Sequence, residues 1–326
     1  MTTLSRSLLL LLLLASGGCL AVGPHLFEEH SITPAGRKDG PRILAVVAHP
    51  DDEILFAGTF YKTSTLLGGA CDVALITNGE GGYKYSTLSE PIYGEPLTEE
   101  PVGRALLPDI RREEFLSGCS IMRVRKAFLL NQQDHRYTQD VLEVLGEESR
   151  IWDLEFVTAS LLKILRRGHY DFVFTLTPVA GTHGHHKASV VLALRAVQLL
   201  PPEERPVVLC ARTASRPPGG DDPPVASEPS DPYTELEGFP ITRVRADAGP
   251  YVFDRTQPFG FNDRLNLKII ANWAIAEHKS QGTMQLGMNR SDLERYFVYD
   301  LNPPDAPERA AALFQRLEQA RFPSKK

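Results

Sequence analysis

The feature that most narrows the fold is Arg42-Ile43-Leu44-Ala45-Val46-Val47, followed without a spacer by Ala48-His49-Pro50-Asp51-Asp52-Glu53. The first part is apolar and β-branched, the composition of a buried strand. The second part opens a helix predicted to run from Pro50 or Asp51 to Leu67. Proline suits a first helical turn, where its missing N–H would have no partner anyway. A histidine and three acids are thereby concentrated at the carboxyl end of a strand and the start of a helix. α/β sheets hold their ligands at such junctions.

Runs of the same kind recur. Asp72 to Thr77, Ala127 to Leu130, Asp171 to Leu176 and Pro206 to Leu209 read as strands, and Ile241 to Arg245 alternates as an edge strand. Leu154 to Arg167 and Leu265 to Ala276 read as amphipathic helices, and residues 306–320 as a last, surface helix. Strands alternating with helices imply βαβ units, and so a mostly parallel sheet with helices on both faces. A chain of 326 residues, 42% hydrophobic and 23% charged, can fill one large α/β domain, placed at 41–326. Net charge is −6 and no basic run tracks a phosphate backbone, so no nucleic-acid partner is expected. No signal specifies oligomeric state.

Residues 1–19 read as a secretory signal rather than as part of the fold. Arg6 precedes the leucine run Leu8 to Leu14, and Ala15-Ser16-Gly17-Gly18 leads to Cys19. The apolar stretch is shorter than the roughly 20 residues of a membrane span. Small residues before Cys19 resemble a lipoprotein cleavage site, and an acylated Cys19 would tether the protein to a membrane face. The expected location is therefore secreted or cell-envelope, with plain secretion as the alternative. Residues 20–40 read as a linker, and the Pro-, Gly-, Asp- and Ser-rich stretch 214–240 as a long loop. Cys71, Cys119 and Cys210 lack metal-ligand spacing and read as small buried residues.

His49 and Asp52 are three residues apart, so an imidazole and a carboxylate can meet one cation, which suits zinc and related divalent metals. Asp51, between them, is then free to act as a base. The alternative is that these acids only favour a helix start. A second cluster, Gly181-Thr182-His183-Gly184-His185-His186, follows another buried strand and runs into another helix. Both junctions fall on one edge of a parallel sheet. His49, Asp52 and one of the later histidines would make three protein ligands with a position left for water, the pattern of a catalytic zinc. The glycine-rich Asn78-Gly79-Glu80-Gly81-Gly82 is no dinucleotide cradle, because the first strand-to-helix turn holds His-Pro-Asp-Asp instead. It reads as a tight loop. Residues 83–108, with Tyr83, Tyr85 and Tyr93, read as a long loop whose rings suit a sugar face. Arg111 and Glu114 share a helix face, either as a surface ion pair or with Arg111 directed into the pocket. His278 sits at a helix end.

Ala48-His49-Pro50-Asp51-Asp52-Glu53 resembles the signature of the PIG-L/LmbE-like deacetylases, the N-acetylglucosaminyl-phosphatidylinositol de-N-acetylase family. Thr77-Asn78-Gly79-Glu80, the Arg111/Glu114 pair, Asp134, the His183 to His186 run and His278-Lys279-Ser280-Gln281 are similar to its later motifs, in order, over residues 41–283. The resemblance implies a Rossmann-like α/β fold and zinc-dependent removal of acetyl from an N-acetylglucosamine-like amino sugar, with Fe2+ or Mn2+ as other candidate metals. It implies His49, Asp52 and His186 as metal ligands and Asp51 as general base. His183 would stabilise the oxyanion or protonate the leaving amine, and Arg111 would contact substrate. One residue departs from the family pattern: His185 stands where Asp or Asn is usual, and it cannot supply that negative charge to His183. The rival readings are a zinc hydrolase of a different amide and a non-catalytic carbohydrate-binding protein on the same fold. No Gly-x-Ser-x-Gly elbow supports a serine hydrolase.

Overall fold

The computed structural model describes residues 27–34, 39–215 and 233–322. The predicted leader 1–19 with Cys19, most of the linker and most of the stretch 214–240 lie outside the described residues. The strands are β1 (Glu28–Ser31), β2 (Arg42–Val47), β3 (Ala70–Thr77), β4 (Lys126–Gln132), β5 (Phe172–Leu176), β6 (Val207–Ala214), β7 (Tyr251–Asp254) and β8 (Leu293–Val298). They form one sheet in the order β1-β4-β3-β2-β5-β6-β8-β7. β4, β3, β2, β5 and β6 are mutually parallel, and β1, β8 and β7 add antiparallel edges. The helices are α1 (Ala57–Thr65), α2 (Glu90–Tyr93), α3 (Glu100–Ile121), α4 (Leu142–Leu145), α5 (Leu154–Gly168), α6 (Gly184–Gln198), α7 (Lys268–Glu277), α8 (Gly282–Gln285) and α9 (Ala306–Gln319).

The sheet is buried on both faces, which is why its central strands read as unbroken apolar runs. Ile43, Ala45 and Val47 of β2 pack with Phe60 of α1, Phe115 of α3, Ala274 of α7 and Leu313 of α9. Leu44 and Val46 pack on the other side with Leu161 of α5 and Leu194 of α6. Local chemistry sets the helix limits. Asp153 caps α5 by accepting from the Phe156 N–H at 2.9 Å, and His169 ends it at a left-handed φ of 46°. This is the α/β fold read from the sequence, with more antiparallel edge than expected.

From β2 the chain steps outward through β3 to β4, then crosses back to β5 and steps the other way to β6. The order reverses between β2 and β5. The carboxyl ends of these adjacent strands therefore flank a crevice, the position at which open α/β sheets bind ligands. Both histidine-bearing segments leave the sheet there.

Three local expectations are corrected. The helix predicted from Pro50 begins as a 3-10 turn, Asp52–Phe56, because Asp51 adopts a φ of 115°, and α1 starts only at Ala57. Residues 83–108 are not a long loop: they hold the end of a 3-10 turn, then α2, and α3 begins at Glu100, inside that stretch. Pro101 sits in the first turn of α3, where it is tolerated, and the helix continues through Pro108. The predicted edge strand Ile241 to Arg245 is a 3-10 turn, Pro240–Thr242, with a single bridge from Val244 to Tyr299. The edge is formed by β7 and β8 instead.

The C-terminal strands also brace the first helix. Glu294 of β8 is fully buried. It accepts from the N–H groups of Gly58 and Thr59 at 2.8 and 3.2 Å, and from Tyr296 Oη and Arg255 Nε at 2.8 Å each. Arg255 Nη2 donates onward to the carbonyls of Ile54 and Leu55 at 2.9 and 2.7 Å. One carboxylate thus satisfies amides that the start of α1 leaves unpaired. No helix among the described residues is long and apolar enough to cross a membrane.

Candidate metal centre

Asp52 leads into the turn after β2 with its two oxygens in different roles. Oδ2 accepts from the N–H groups of Ala48 and His49 at 3.0 and 2.8 Å. Oδ1 is left facing His186 Nε2 at 3.1 Å. His186, in the first turn of α6, has its other ring nitrogen 2.9 Å from Thr182 Oγ1. His49 Nδ1 lies 3.0 Å from His186 Nε2 and 3.7 Å from Asp52 Oδ2. Bonds of 2.0–2.1 Å at tetrahedral angles separate the ligands of a zinc ion by about 3.3 Å. Two imidazole nitrogens and a carboxylate at these separations fit such an ion and leave a coordination position over.

A second group shares His49. His49, Asp134, His183 and His185, like His49, Asp52 and His186, bring their ligand atoms within 4.8 Å of one another. Here Asp134 Oδ1 is 3.3 Å from His185 Nδ1 and 3.8 Å from His49 Nε2. His185 is fully buried, with the indole of Trp152 at 5.2 Å between ring centroids. Its imidazolium is disfavoured: burial first, then the charge of His49, brings its pKa down to about 4 despite Asp134. Burial would raise Asp134, but His49 and His185 hold it below the usual carboxylate range. The first group is the less buried of the two, and two of its members, Asp52 and His49, act on the neighbouring Asp51, so it is the better candidate for chemistry.

Asp51 is 3.0 Å from Arg111 Nη2, and its own N–H donates to Glu53 Oε2 at 2.8 Å. Burial pushes the Asp51 carboxyl up to about 6, against the pull of Arg111. Arg111, expected to contact substrate, lies 2% exposed beneath the turn. Its Nη1 donates to the Gly79 carbonyl at 2.6 Å and its Nη2 also to the Pro50 carbonyl. That packing explains the glycine loop, since a Cβ at Gly79, φ 73°, would come within 2.5 Å of Arg111 Nη1. His183 caps α6, its Nδ1 accepting from the His185 N–H at 3.0 Å. A neutral ring there carries its proton on Nε2. Burial and three neighbouring histidines lower its pKa to about 2, so that ring is neutral.

Of the two readings left open for the Arg111 and Glu114 pair, the structure shows the inward one. Arg111 and Glu114 share no surface ion pair. Glu114 accepts from the Ser280 N–H at 2.7 Å, and from Ser280 Oγ and Tyr93 Oη at 2.6 Å each. Tyr93 is therefore tied to the frame, and Tyr83 packs under Arg104 at 5.4 Å. His278 is fully buried, 2.7 Å from Glu53 Oε1. It joins the C-terminal segment to the residue that holds the Asp51 amide. Sequence reasoning missed His135, which contacts His185; its signal was its place directly after Asp134.

The pattern of the family described as GlcNAc-PI de-N-acetylase (PIG-L) matches residues 44–197. Over that stretch the chain is similar to the PIG-L family. One relative, from Bacillus cereus, is named "Probable N-acetyl-alpha-D-glucosaminyl L-malate deacetylase 2". It is 27% identical over 166 residues, 51% of this chain and 65% of the relative. Another, a 1D-myo-inositol 2-acetamido-2-deoxy-alpha-D-glucopyranoside deacetylase from Corynebacterium urealyticum, is 30% identical over 152 residues, 44% of this chain and 43% of its own length. The chain thus spans less than two thirds of each of these relatives. A solved N,N'-diacetylchitobiose deacetylase from Pyrococcus horikoshii aligns with a TM-score of 0.37 and 26% identity, over 49% of this chain and 51% of that one. The PIG-L match ends within α6, so the bracing strand β8 and the buried His278 lie beyond it.

Proposed function

We propose that this chain is a divalent-metal-dependent amidohydrolase, with zinc the first candidate, that removes acetyl from an N-acetylglucosamine-like amino sugar. The observation that carries the reading is the convergence of His49 Nδ1, His186 Nε2 and Asp52 on one point, 3.0–3.7 Å apart, with each residue's other polar atom held elsewhere. Two imidazole nitrogens and a carboxylate facing one another are a donor set that a divalent cation such as zinc would bridge. The named relatives support the substrate class, since both names carry an N-acetylated glucosamine.

His49, Asp52 and His186 would hold the ion. When bound, it would polarise the amide carbonyl and lower the pKa of a bound water to about 7. Asp51 stands beside this point with its proton affinity raised by burial, so it takes the proton of the attacking water and can return it to the departing amine. Arg111 keeps the Asp51 carboxylate oriented rather than touching substrate. His183, neutral with its proton on Nε2, would donate to the developing oxyanion, a contact worth roughly 100–1,000-fold in kcat where similar donors were removed.

The test is acetate release from a panel of N-acetyl sugars, acylated amines and lactams. Asp51→Asn is expected to keep its metal and lose about 100- to 10,000-fold in kcat. His49→Ala is expected to lose both metal and activity. Acetate release that survives both substitutions excludes the mechanism; bound sugar without turnover at saturating zinc indicates a binding protein.

A further inference from the structure

The ring of His49 has a second nitrogen, and the contact it makes does not stop at its neighbour. His49 Nε2 lies 3.1 Å from His185 Nδ1. His185 Nε2 lies 2.9 Å from His135 Nδ1. His135 Nε2 lies 3.1 Å from Glu143 Oε2. Three imidazoles stand in single file between a candidate metal ligand and a partly exposed carboxylate.

This file has a direction. A neutral imidazole offers one N–H and one lone pair, whereas a carboxylate only accepts. Glu143 also accepts from Arg136 Nη2 at 3.0 Å and Thr138 Oγ1 at 2.9 Å, so it is fixed as an acceptor. His135 must then carry its proton on Nε2 and turn a lone pair toward His185. His185 in turn carries its proton on Nε2 and turns a lone pair toward His49. His49 is left with its proton on Nε2 and its Nδ1 lone pair directed at Asp52 and His186. We propose that Glu143 and His135 are positioning residues that fix His49 as an Nδ1 metal ligand through the tautomer of His185. This rests on the metal-centre reading above.

The departure from the family pattern gives the file its reason. A carboxylate at position 185 is an acceptor that needs nothing further. An imidazole that accepts on one side must donate on the other, and His135 with Glu143 supplies that outlet. Asp134, 3.3 Å from His185 Nδ1, is the competing acceptor. Were His185 protonated on Nδ1 to serve it, His49 Nε2–H would lose its partner at 3.1 Å. A neutral His135 would then also turn a lone pair on Glu143. The arrangement directed by Glu143 pairs both of these groups, at the expense of a donor from His185 to Asp134. Metal ligands are commonly oriented by such outer partners, and their loss typically lowers metal affinity about 10- to 100-fold.

The experiment uses the full chain stripped of metal. Zinc affinity is measured by competition with a chromophoric chelator, and ring tautomers by long-range 1H–15N spectra of the histidines. Glu143→Ala and His135→Phe are each expected to weaken zinc binding about 10- to 100-fold. Glu143→Gln, whose amide oxygen still accepts, is expected to restore most of it. In the wild type, His185 and His135 are expected as Nε2–H tautomers. A His185 protonated on Nδ1, or zinc binding within about twofold of wild type in folded Glu143→Ala, overturns the proposal. The Glu143 variants decide the matter if His135→Phe does not fold. A wild type that binds no zinc overturns the metal-centre reading instead, and the tautomer spectra still judge the file.

Discussion

Asp51 shows how much one residue is made to bear. Its φ of 115° lies where side chains other than glycine are strained, at a cost on the order of 1–3 kcal/mol. Arg111 and Glu53 hold it there from opposite ends, one on the carboxylate and one on the amide. Away from the site, Lys62 is another residue kept under duress. It is 3% exposed, with Gln257 Oε1 at 3.1 Å and the ring of Phe253 at 5.8 Å from its ammonium, and the opposed charges of Arg321 and Glu318 also acting on it. Burial pulls its pKa from 10.5 down to about 8. Below that pH both folded and unfolded chains carry the charge, and the fold bears its desolvation. Between about 8 and 10.5 the folded chain sheds the proton before the unfolded chain does, so this contribution to stability rises with pH. Lys62→Met is therefore expected to melt higher than wild type at neutral pH. That advantage should shrink as pH passes 8; a constant gap in melting temperature would contradict the sign.

Among the elements, α1 and β8 depend on each other through Glu294. Removing that carboxylate leaves the Arg255 guanidinium buried without its partner and frees two helix-start amides. Glu294→Ala is expected to lose about 3–5 kcal/mol of unfolding free energy in a urea titration. A loss below about 1 kcal/mol would mean the network is relaxed by water. The same strand shows where sequence reading stops. β2 and β5 were legible because nearly every residue in them is buried, and α5 because its apolar positions recur with the helical period. β8 was not, because the buried Glu294 and its neighbour Arg295 interrupt the apolar run. The first half of α3 was hidden by prolines that its first turn and interior tolerate. In the site, His49, Asp52 and the His183 to His186 run stood out because they are dense. Arg111's turn inward, to the Gly79 and Pro50 carbonyls, was one of two open readings, since spacing along a helix does not reveal what packs against it.

At the scale of the whole molecule, the crevice between β2 and β5 is set by strand order, but its floor is braced from far along the chain. Arg255, His278 and Glu294 all lie after the end of the PIG-L match, and each reaches back to residues 53–59. The turn carrying His49 and Asp52 and the C-terminal third should therefore unfold together. A feature of the site offers a way to watch this. The chain has two tryptophans. Trp152 is 3% exposed and rests on the His185 ring, whereas Trp273 is 58% exposed. Iodide should silence the latter and leave the former. Stripping the ion with a chelator is expected to change the remaining emission, and Trp152→Phe to abolish that change. The protein would then carry its own optical gauge of occupancy, readable in solution without a substrate or a label.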